Sequence, residues 1–160
     1  MKIRNLVHLF PIIALTAIVS CNTNQRNTST ENAIDIVAEG TPEVAEITGA
    51  PKVPKPIGDR AAKKLIVNLV TTEIEGIIAD SIPYTFWTFN NTVPGSFIRV
   101  RVGDEITVNL KNDANSVLPH NIDLHAVTGP GGGAPASSSA PGKETSFTFK
   151  AINTGLYVYH

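Results

Sequence analysis

Side chains that bind metals and move protons are concentrated in one short stretch of the chain. Residues 118–125 (LPHNIDLH) contain two of the four histidines, His120 and His125, with Asp123 between them. Imidazole binds transition metals, and it is also the side chain that titrates near neutral pH. A carboxyl group within hydrogen-bond reach can serve as a general acid. These residue types therefore predict metal binding together with proton transfer.

The spacing within this stretch predicts two sites, one on each side of the chain. In an extended strand, side chains alternate between two faces with a period of two. Asp123 and His125 then share one face, and His120 lies on the other face with the apolar Ile122 and Leu124. We therefore expect a buried metal ligand at His120 and a proton-transferring site at Asp123 and His125.

The last four residues (YVYH) add a third histidine, His160, on a segment that we interpret as a strand. Because the sequence stops within that strand, we expect it to be truncated. Taken singly, His120 is better interpreted as a core histidine that hydrogen-bonds to the backbone, and the alternatives for His125 and His160 are a surface histidine and a chance chain end. Three histidines in two strand motifs favour a metal, although imidazole suits copper, zinc, iron and nickel alike.

Residues 119–125 (PHNIDLH), the Gly-rich segment after them and the final Tyr159-His160 pair resemble the first domain of copper-containing nitrite reductases. Residues 88–95 (TFNNTVPG) resemble the same family, although multicopper oxidases in general share this segment. The resemblance extends over roughly residues 64–160. It implies a cupredoxin-like Greek-key fold and an enzyme that reduces nitrite to nitric oxide with copper.

The resemblance also implies a role for each site residue. His120 corresponds to a ligand of the type 1 copper, which accepts electrons from a small donor protein, a cupredoxin or a cytochrome c. His125 and His160 correspond to ligands of the type 2 catalytic copper, whose third ligand comes from a neighbouring subunit of a homotrimer. Asp123 corresponds to the acid that hydrogen-bonds nitrite and helps to deliver protons.

The family has a cysteine directly after the position of His160, then a later type 1 histidine and methionine and a second domain. None of these is in the sequence. We therefore expect the chain by itself to be inactive and to lack the blue colour of a type 1 copper, which requires a thiolate ligand.

Three other functions are compared with this one. A laccase-like multicopper oxidase favours His-x-His pairs on one face, whereas four residues separate His120 from His125 here. A one-copper electron carrier has no use for Asp123, His125 and His160 on a second face. A metal-free adhesion sandwich stays open, because a fold does not determine a function.

Short alternating segments must position these residues. Apolar alternation and turn signals such as Pro94-Gly95 predict strands, and there is no amphipathic helical pattern. The predicted strands cover residues 65–70, 72–79, 84–89, 97–102, 106–110 and 146–150. Residues 129–142, rich in Gly, Pro, Ala and Ser, are expected to form a surface loop. The pattern predicts an all-β sandwich or barrel, and periodicity alone does not separate a cupredoxin-like fold from an immunoglobulin-like one.

The chain divides into three predicted parts. Residues 1–20 resemble a lipoprotein signal peptide, with Lys2 and Arg4 before an apolar run that is too short to span a membrane. Cys21 is then the expected lipidation site. Residues 21–61, with scattered acids and prolines, predict a flexible tether, and residues 62–160 the folded domain. This organisation predicts export to the periplasm or cell envelope and attachment to a membrane through lipid.

Charge and cysteine content exclude some functions. A net charge of −1, without a basic patch interleaved with aromatic residues, argues against nucleic-acid binding. With Cys21 as its single cysteine, the chain cannot form an internal disulfide bond.

Overall fold

The structure, a computed structural model, describes residues 32–160. The predicted signal peptide, Cys21 and the first part of the predicted tether lie outside the described residues. In the part of the chain that is described, no helix is long and apolar enough to cross a membrane.

One curled sheet forms most of the fold. Its strand order is β1-β3-β6-β7, with β4 paired to the second half of the long strand β3. β3 runs parallel to both β1 and β6, whereas β4 and β7 are antiparallel to their neighbours. β2 and β5 form a separate two-stranded sheet. The strands are β1 Glu39–Val44, β2 Ile47–Thr48, β3 Lys63–Ile77, β4 Pro83–Phe89, β5 Phe97–Ile98, β6 Glu105–Asn112 and β7 Glu144–Lys150.

The core lies on one face of the parallel pair β3–β6. Alternate residues of each strand are buried, and the register places them side by side, Val67 with Val108 and Leu69 with Leu110. The resulting row of apolar side chains continues into the segment that contains the histidine motif. The buried core cluster consists of Val67, Leu69, Ile106, Val108, Leu110, Ile122, Leu124 and Ala151.

The structure differs from the flexible tether predicted over residues 21–61, because residues 39–44 and 47–48 form strands β1 and β2. β1 is exposed at all six positions and so has no apolar alternation to detect. Backbone pairing holds it to β3, and directly after β1 the Ala45 N–H donates to the Ile66 carbonyl at 2.8 Å. The prediction of a flexible tether is therefore wrong for residues 39–48.

Four further segments differ from the expected secondary structure. The predicted strands over 65–70 and 72–79 are one continuous strand, β3, and the strand predicted over 97–102 is reduced to β5. The histidine motif and the last four residues are not regular strands. Single bridges hold them instead, between His120 and Ser139 and between Leu124 and Tyr159.

The Gly-rich segment after the motif is not simply a surface loop. It forms a 3₁₀ turn at Pro130–Gly133 and one short helical turn at Ala134–Ser137. Gly132, Ser137 and Ser139 are buried. The Ser137 hydroxyl accepts from the Ile122 N–H at 3.0 Å and lies within hydrogen-bond distance of the Ile122 and Gly133 carbonyls, so this segment packs against the motif.

A buried carboxylate joins the starts of β3 and β6. Asp104, which is fully buried, pairs with the two terminal nitrogens, Nη1 and Nη2, of the Arg60 guanidinium at 2.7 and 2.6 Å. It also accepts from the backbone N–H groups of Lys63 and Arg101. Burial by itself raises the pKa of Asp104, but the hydrogen bonds from Arg60 and the two N–H groups outweigh it, so the net pKa is lowered.

This carboxylate predicts acid sensitivity of the fold. A lowered folded-state pKa stabilises the protein fully above the unfolded value of about 3.9, and this contribution is lost as the pH falls through the lower folded value. Asp104→Asn should lower the free energy of unfolding near pH 7 by roughly 3 kcal/mol, as expected for breaking a buried pair, and should flatten its decline in acid. Urea unfolding over a pH series measures both effects. Asp59→Asn, at an exposed acid nearby, is the control and should behave like the parent; equal acid slopes for Asp104→Asn and the parent would contradict the assignment.

Candidate metal centre

The core sets the direction of the side chains in the histidine motif. Ile122 is fully buried and Leu124 is 7% exposed, and both belong to the core cluster. Asp123 between them is half-buried, and His125 is exposed. The alternation expected of a strand is therefore present without a regular strand, because the two apolar side chains are anchored in the core.

The end of the chain lies antiparallel to this motif. The Asp123 N–H donates to the His160 carbonyl at 2.8 Å, and the His160 N–H donates to the Asp123 carbonyl at 3.0 Å. Tyr159 points into the protein, stacks edge-on with Phe89 and donates its hydroxyl to the Ser96 carbonyl at 2.6 Å. Burial raises the pKa of Tyr159, which keeps the phenol protonated as a donor. With Tyr159 anchored inward, His160 projects on the same side as Asp123 and His125.

Asp123, His125 and His160 form one cluster. One potential ligand atom from each lies within 4.8 Å of the others, and among residues 32–160 this is the one group of three such side chains. The Nε2 atoms of His125 and His160 are 3.2 Å apart. Two nitrogens bound at about 2.0–2.1 Å to one metal ion lie roughly 3–3.4 Å apart, so the two imidazoles fit a shared ion. Both rings are exposed, which leaves room for further ligands.

His120 lies apart from this cluster, as the alternation predicts. Its Nε2 atom is 3.0 Å from Oε1 of Glu73, and its ring meets the Trp87 ring edge-on at a centroid distance of 5.3 Å. The same Glu73 oxygen accepts the N–H groups of Val117 and Leu118 at 3.0 and 2.9 Å. The Leu118 N–H is the largest cause that lowers the pKa of Glu73.

A glycine of the Gly-rich segment lies against Asp123. Gly132 has φ +51°, and a Cβ atom there would be 2.1 Å from the Asp123 carboxylate and 2.6 Å from the Leu124 carbonyl. The Gly132 carbonyl also accepts the Leu124 N–H at 3.0 Å. Any larger residue at 132 would therefore displace the acid of the cluster.

Reasoning from the sequence did not find Glu73, Trp87 or Gly132. The signal for Glu73 is its position: it continues the inward-facing row of β3 formed by Leu65, Val67, Leu69 and Thr71. An acid at an inward position of a strand needs a partner, since burying an unpaired charge is costly. No comparable signal distinguishes Gly132 from the other glycines of its segment.

Comparisons with known proteins identify the family of the chain. The sequence model of a family described as multicopper oxidase matches residues 71–160. A copper-containing nitrite reductase of Neisseria meningitidis is 46% identical over 116 residues, which is 72% of this chain and 30% of that protein. A copper-containing nitrite reductase of Alcaligenes xylosoxydans is 38% identical, over 76% of this chain and 38% of that protein.

Solved structures give the same result. The copper nitrite reductase of Nitrosomonas europaea aligns with a TM-score of 0.55 and 34% identity, over 61% of this chain and 34% of that one. A multicopper oxidase, mgLAC, aligns with a TM-score of 0.50 and 30% identity, over 61% of this chain and 32% of that one.

The fold is that of a cupredoxin-type domain. The chain belongs to the multicopper oxidase family. Within it, the curated relatives named above are copper-containing nitrite reductases, and the chain spans about a third of their length. The predicted all-β, cupredoxin-like fold and the resemblance to copper-containing nitrite reductases are thus confirmed. The roles of the individual site residues stay predictions.

The contact between Gly132 and Asp123 yields a test of how the cluster is built. Gly132→Ala should destabilise the protein and displace the Asp123 carboxylate, because the new Cβ overlaps it. Gly58→Ala is a matched control: φ is +65° there, and nothing lies within 4 Å of the added Cβ. The free energy of unfolding of the control should fall only by the strain of an alanine in the left-handed conformation, about 1–2 kcal/mol. Chemical unfolding and a crystal structure of each variant measure the two effects; equal losses with an unmoved Asp123 would contradict the assignment.

Proposed function

We propose that the chain is the N-terminal part of a copper-containing nitrite reductase that forms nitric oxide. The observation that supports this most directly is the cluster of Asp123, His125 and His160, with two imidazole nitrogens 3.2 Å apart and a carboxylate beside them. The named relatives support nitrite as the substrate. Four residues, one of them Asp123, separate His120 from His125, and this spacing disfavours a laccase-like arrangement of His-x-His pairs.

In this proposal His125 and His160 hold the catalytic, type 2 copper, and His120 is a ligand of the type 1 copper. The chemistry that copper supplies is polarisation of a bound anion and transfer of one electron. Overall, nitrite takes up one electron and two protons, one N–O bond breaks, and the products are nitric oxide and water.

The chain's own residues then have distinct tasks. His125 and His160, fixed by the core and by the paired backbone at Asp123, present their Nε2 atoms at one point on the surface. The Asp123 carboxyl lies within reach of the same point, where it can hydrogen-bond a nitrite oxygen and donate a proton to the oxygen that leaves as water. Asp123 is half-buried, and its carboxylate occupies the space that a side chain at position 132 would need.

The partners are part of the same proposal. Both histidines of the cluster are exposed, and two imidazoles leave ligand positions open. A neighbouring subunit of a homotrimer would supply a further ligand there, and a small cupredoxin or cytochrome c would deliver electrons to the type 1 copper.

Three substitutions in the copper-loaded, full-length protein test the assignment. Asp123→Asn keeps the size of the side chain but removes its proton, and it should reduce nitrite turnover by about 10²–10⁴-fold with both coppers retained. His125→Ala should empty the catalytic copper by removing a ligand. His120→Ala should alter only the type 1 colour, because its ring lies on the other side of the motif.

Nitric oxide production, metal analysis and the visible spectrum measure these outcomes. Asp35→Asn, at an exposed acid outside the cluster, is the control and should keep the activity of the parent. The proposal fails if Asp123→Asn keeps parental turnover at every pH. It also fails if His120→Ala removes the catalytic copper and spares the blue one.

We also propose that the protein is exported and attached to a membrane through lipid at Cys21. The support is the sequence alone: a positive start, an apolar run of residues 6–19 and a cysteine where that run gives way to polar residues. Cys21→Ser should move the protein from the membrane fraction to the soluble fraction and abolish incorporation of labelled fatty acid. Ser20→Ala is a control that retains the cysteine; unchanged fractionation of Cys21→Ser, with no label in the parent, would refute the anchor.

A further inference from the structure

The environment of His120 contains a carboxylate that neither the sequence analysis nor the proposed function uses. The side chains of Glu73 and His120 are only 10% and 9% exposed. Oε1 of Glu73 is within 3.0 Å of three nitrogens: the backbone nitrogens of Val117 and Leu118 and Nε2 of His120. Glu73 lies on β3, more than forty residues from His120 in sequence, so the fold has brought this contact together.

The two backbone contacts determine which ring nitrogen of His120 carries the proton. Backbone N–H groups can only donate, so Oε1 of Glu73 is acting as an acceptor, and an ionised carboxylate is acceptor-only. A lone pair on Nε2 at 3.0 Å would repel that oxygen, so Nε2 must be the donor. A neutral imidazole has one N–H group, and Nδ1 of His120 therefore keeps the lone pair that a metal requires.

Other contacts restrict the orientation of this ring. The amide of Asn112, which is fully buried on β6, donates to the carbonyls of Leu118 and Ser139 at 2.9 Å each. The segment before His120 is thus held by Glu73 through its N–H groups and by Asn112 through a carbonyl. Trp87 lies edge-on against the imidazole and limits its rotation.

We propose that Glu73 is a positioning residue for the type 1 copper. It takes the Nε2 hydrogen bond of His120, fixes the tautomer and ring direction, and leaves Nδ1 as the copper ligand. This inference rests on the proposed function, which assigns His120 to that copper. Partners of this kind orient ligating histidines and increase their basicity, and losing one typically weakens metal binding by about 10–100-fold.

The first test uses the metal-free protein and does not depend on copper. Nitrogen-15 NMR of labelled histidine at about pH 8, above the ordinary pKa of a free imidazole, distinguishes a protonated ring nitrogen from one with a lone pair. His120 in the parent should show protonated Nε2 and unprotonated Nδ1. Glu73→Leu should give a mixture of tautomers, whereas Glu73→Gln, which retains an acceptor oxygen, should keep the parental tautomer in larger part.

The second test uses the copper-loaded, full-length protein. Glu73→Leu should weaken binding of the type 1 copper by about 10–100-fold and shift its visible band. Glu73→Gln should keep the copper but raise its reduction potential, because a negative charge that favours Cu(II) is lost. The catalytic copper should be retained in both variants, since Glu73 contacts His120 and not the cluster of Asp123, His125 and His160.

Glu75→Gln is the matched control. Glu75 is two residues along β3, is exposed, and accepts a hydrogen bond from Thr85. It should leave the tautomer, the colour and the potential of the parent unchanged.

The two tests separate the failure of this inference from the failure of the proposed function. A parental His120 with its proton on Nδ1 overturns the role of Glu73, as does a Glu73→Leu variant with parental tautomer, colour and potential. A parent protein that binds copper without a blue band refutes the assignment of His120 to type 1 copper, while the NMR result still decides whether Glu73 fixes the ring.

Discussion

The arrangement around His120 depends on the hydrogen bonds of the Asn112 side-chain amide. It is fully buried, donates to the carbonyls of Leu118 and Ser139, and accepts from the Thr71 hydroxyl at 3.1 Å. Two chain segments without regular strand structure thus obtain partners for backbone carbonyls that would otherwise be unsatisfied. Leaving such a buried group unpaired costs roughly 1–3 kcal/mol. The amide therefore holds the motif and the Gly-rich segment against the sheet as one unit.

The β3–β6 pair has two parts: an apolar length that belongs to the core, and a polar end that contacts the segment with His120. Along both strands the inward positions are apolar, and then they become polar at Thr71, Glu73 and Asn112. The apolar length is buried against Ile122 and Leu124, which aim Asp123 and His125 outward. The polar length contacts the segment that contains His120. A single pair of parallel strands thereby positions both predicted sites, each on its own side of the motif.

The sequence was sufficient where the determining pattern was local. Alternation within residues 118–125 correctly separated His120 from Asp123 and His125, because buried Ile122 and Leu124 impose that alternation even without a regular strand. The sequence was insufficient where the residues in contact are far apart along the chain. β1 is exposed throughout and held by backbone hydrogen bonds, so its side chains contain no signal. Glu73 was missed because its partners lie more than forty residues away, and the need for glycine at 132 follows from contacts that only the folded chain creates.

The mutual backbone hydrogen bonds between Asp123 and His160 have a consequence for folding. They join segments that are far apart in sequence, so the two imidazoles, 35 residues apart, meet only in the native state. An unfolded chain has no such preformed pair, and a ligand that binds only the folded form stabilises it by mass action, by about 2.7 kcal/mol at one hundred times its dissociation constant. The supply of a metal ion during folding would thus influence how much of the protein survives unfolding and proteolysis.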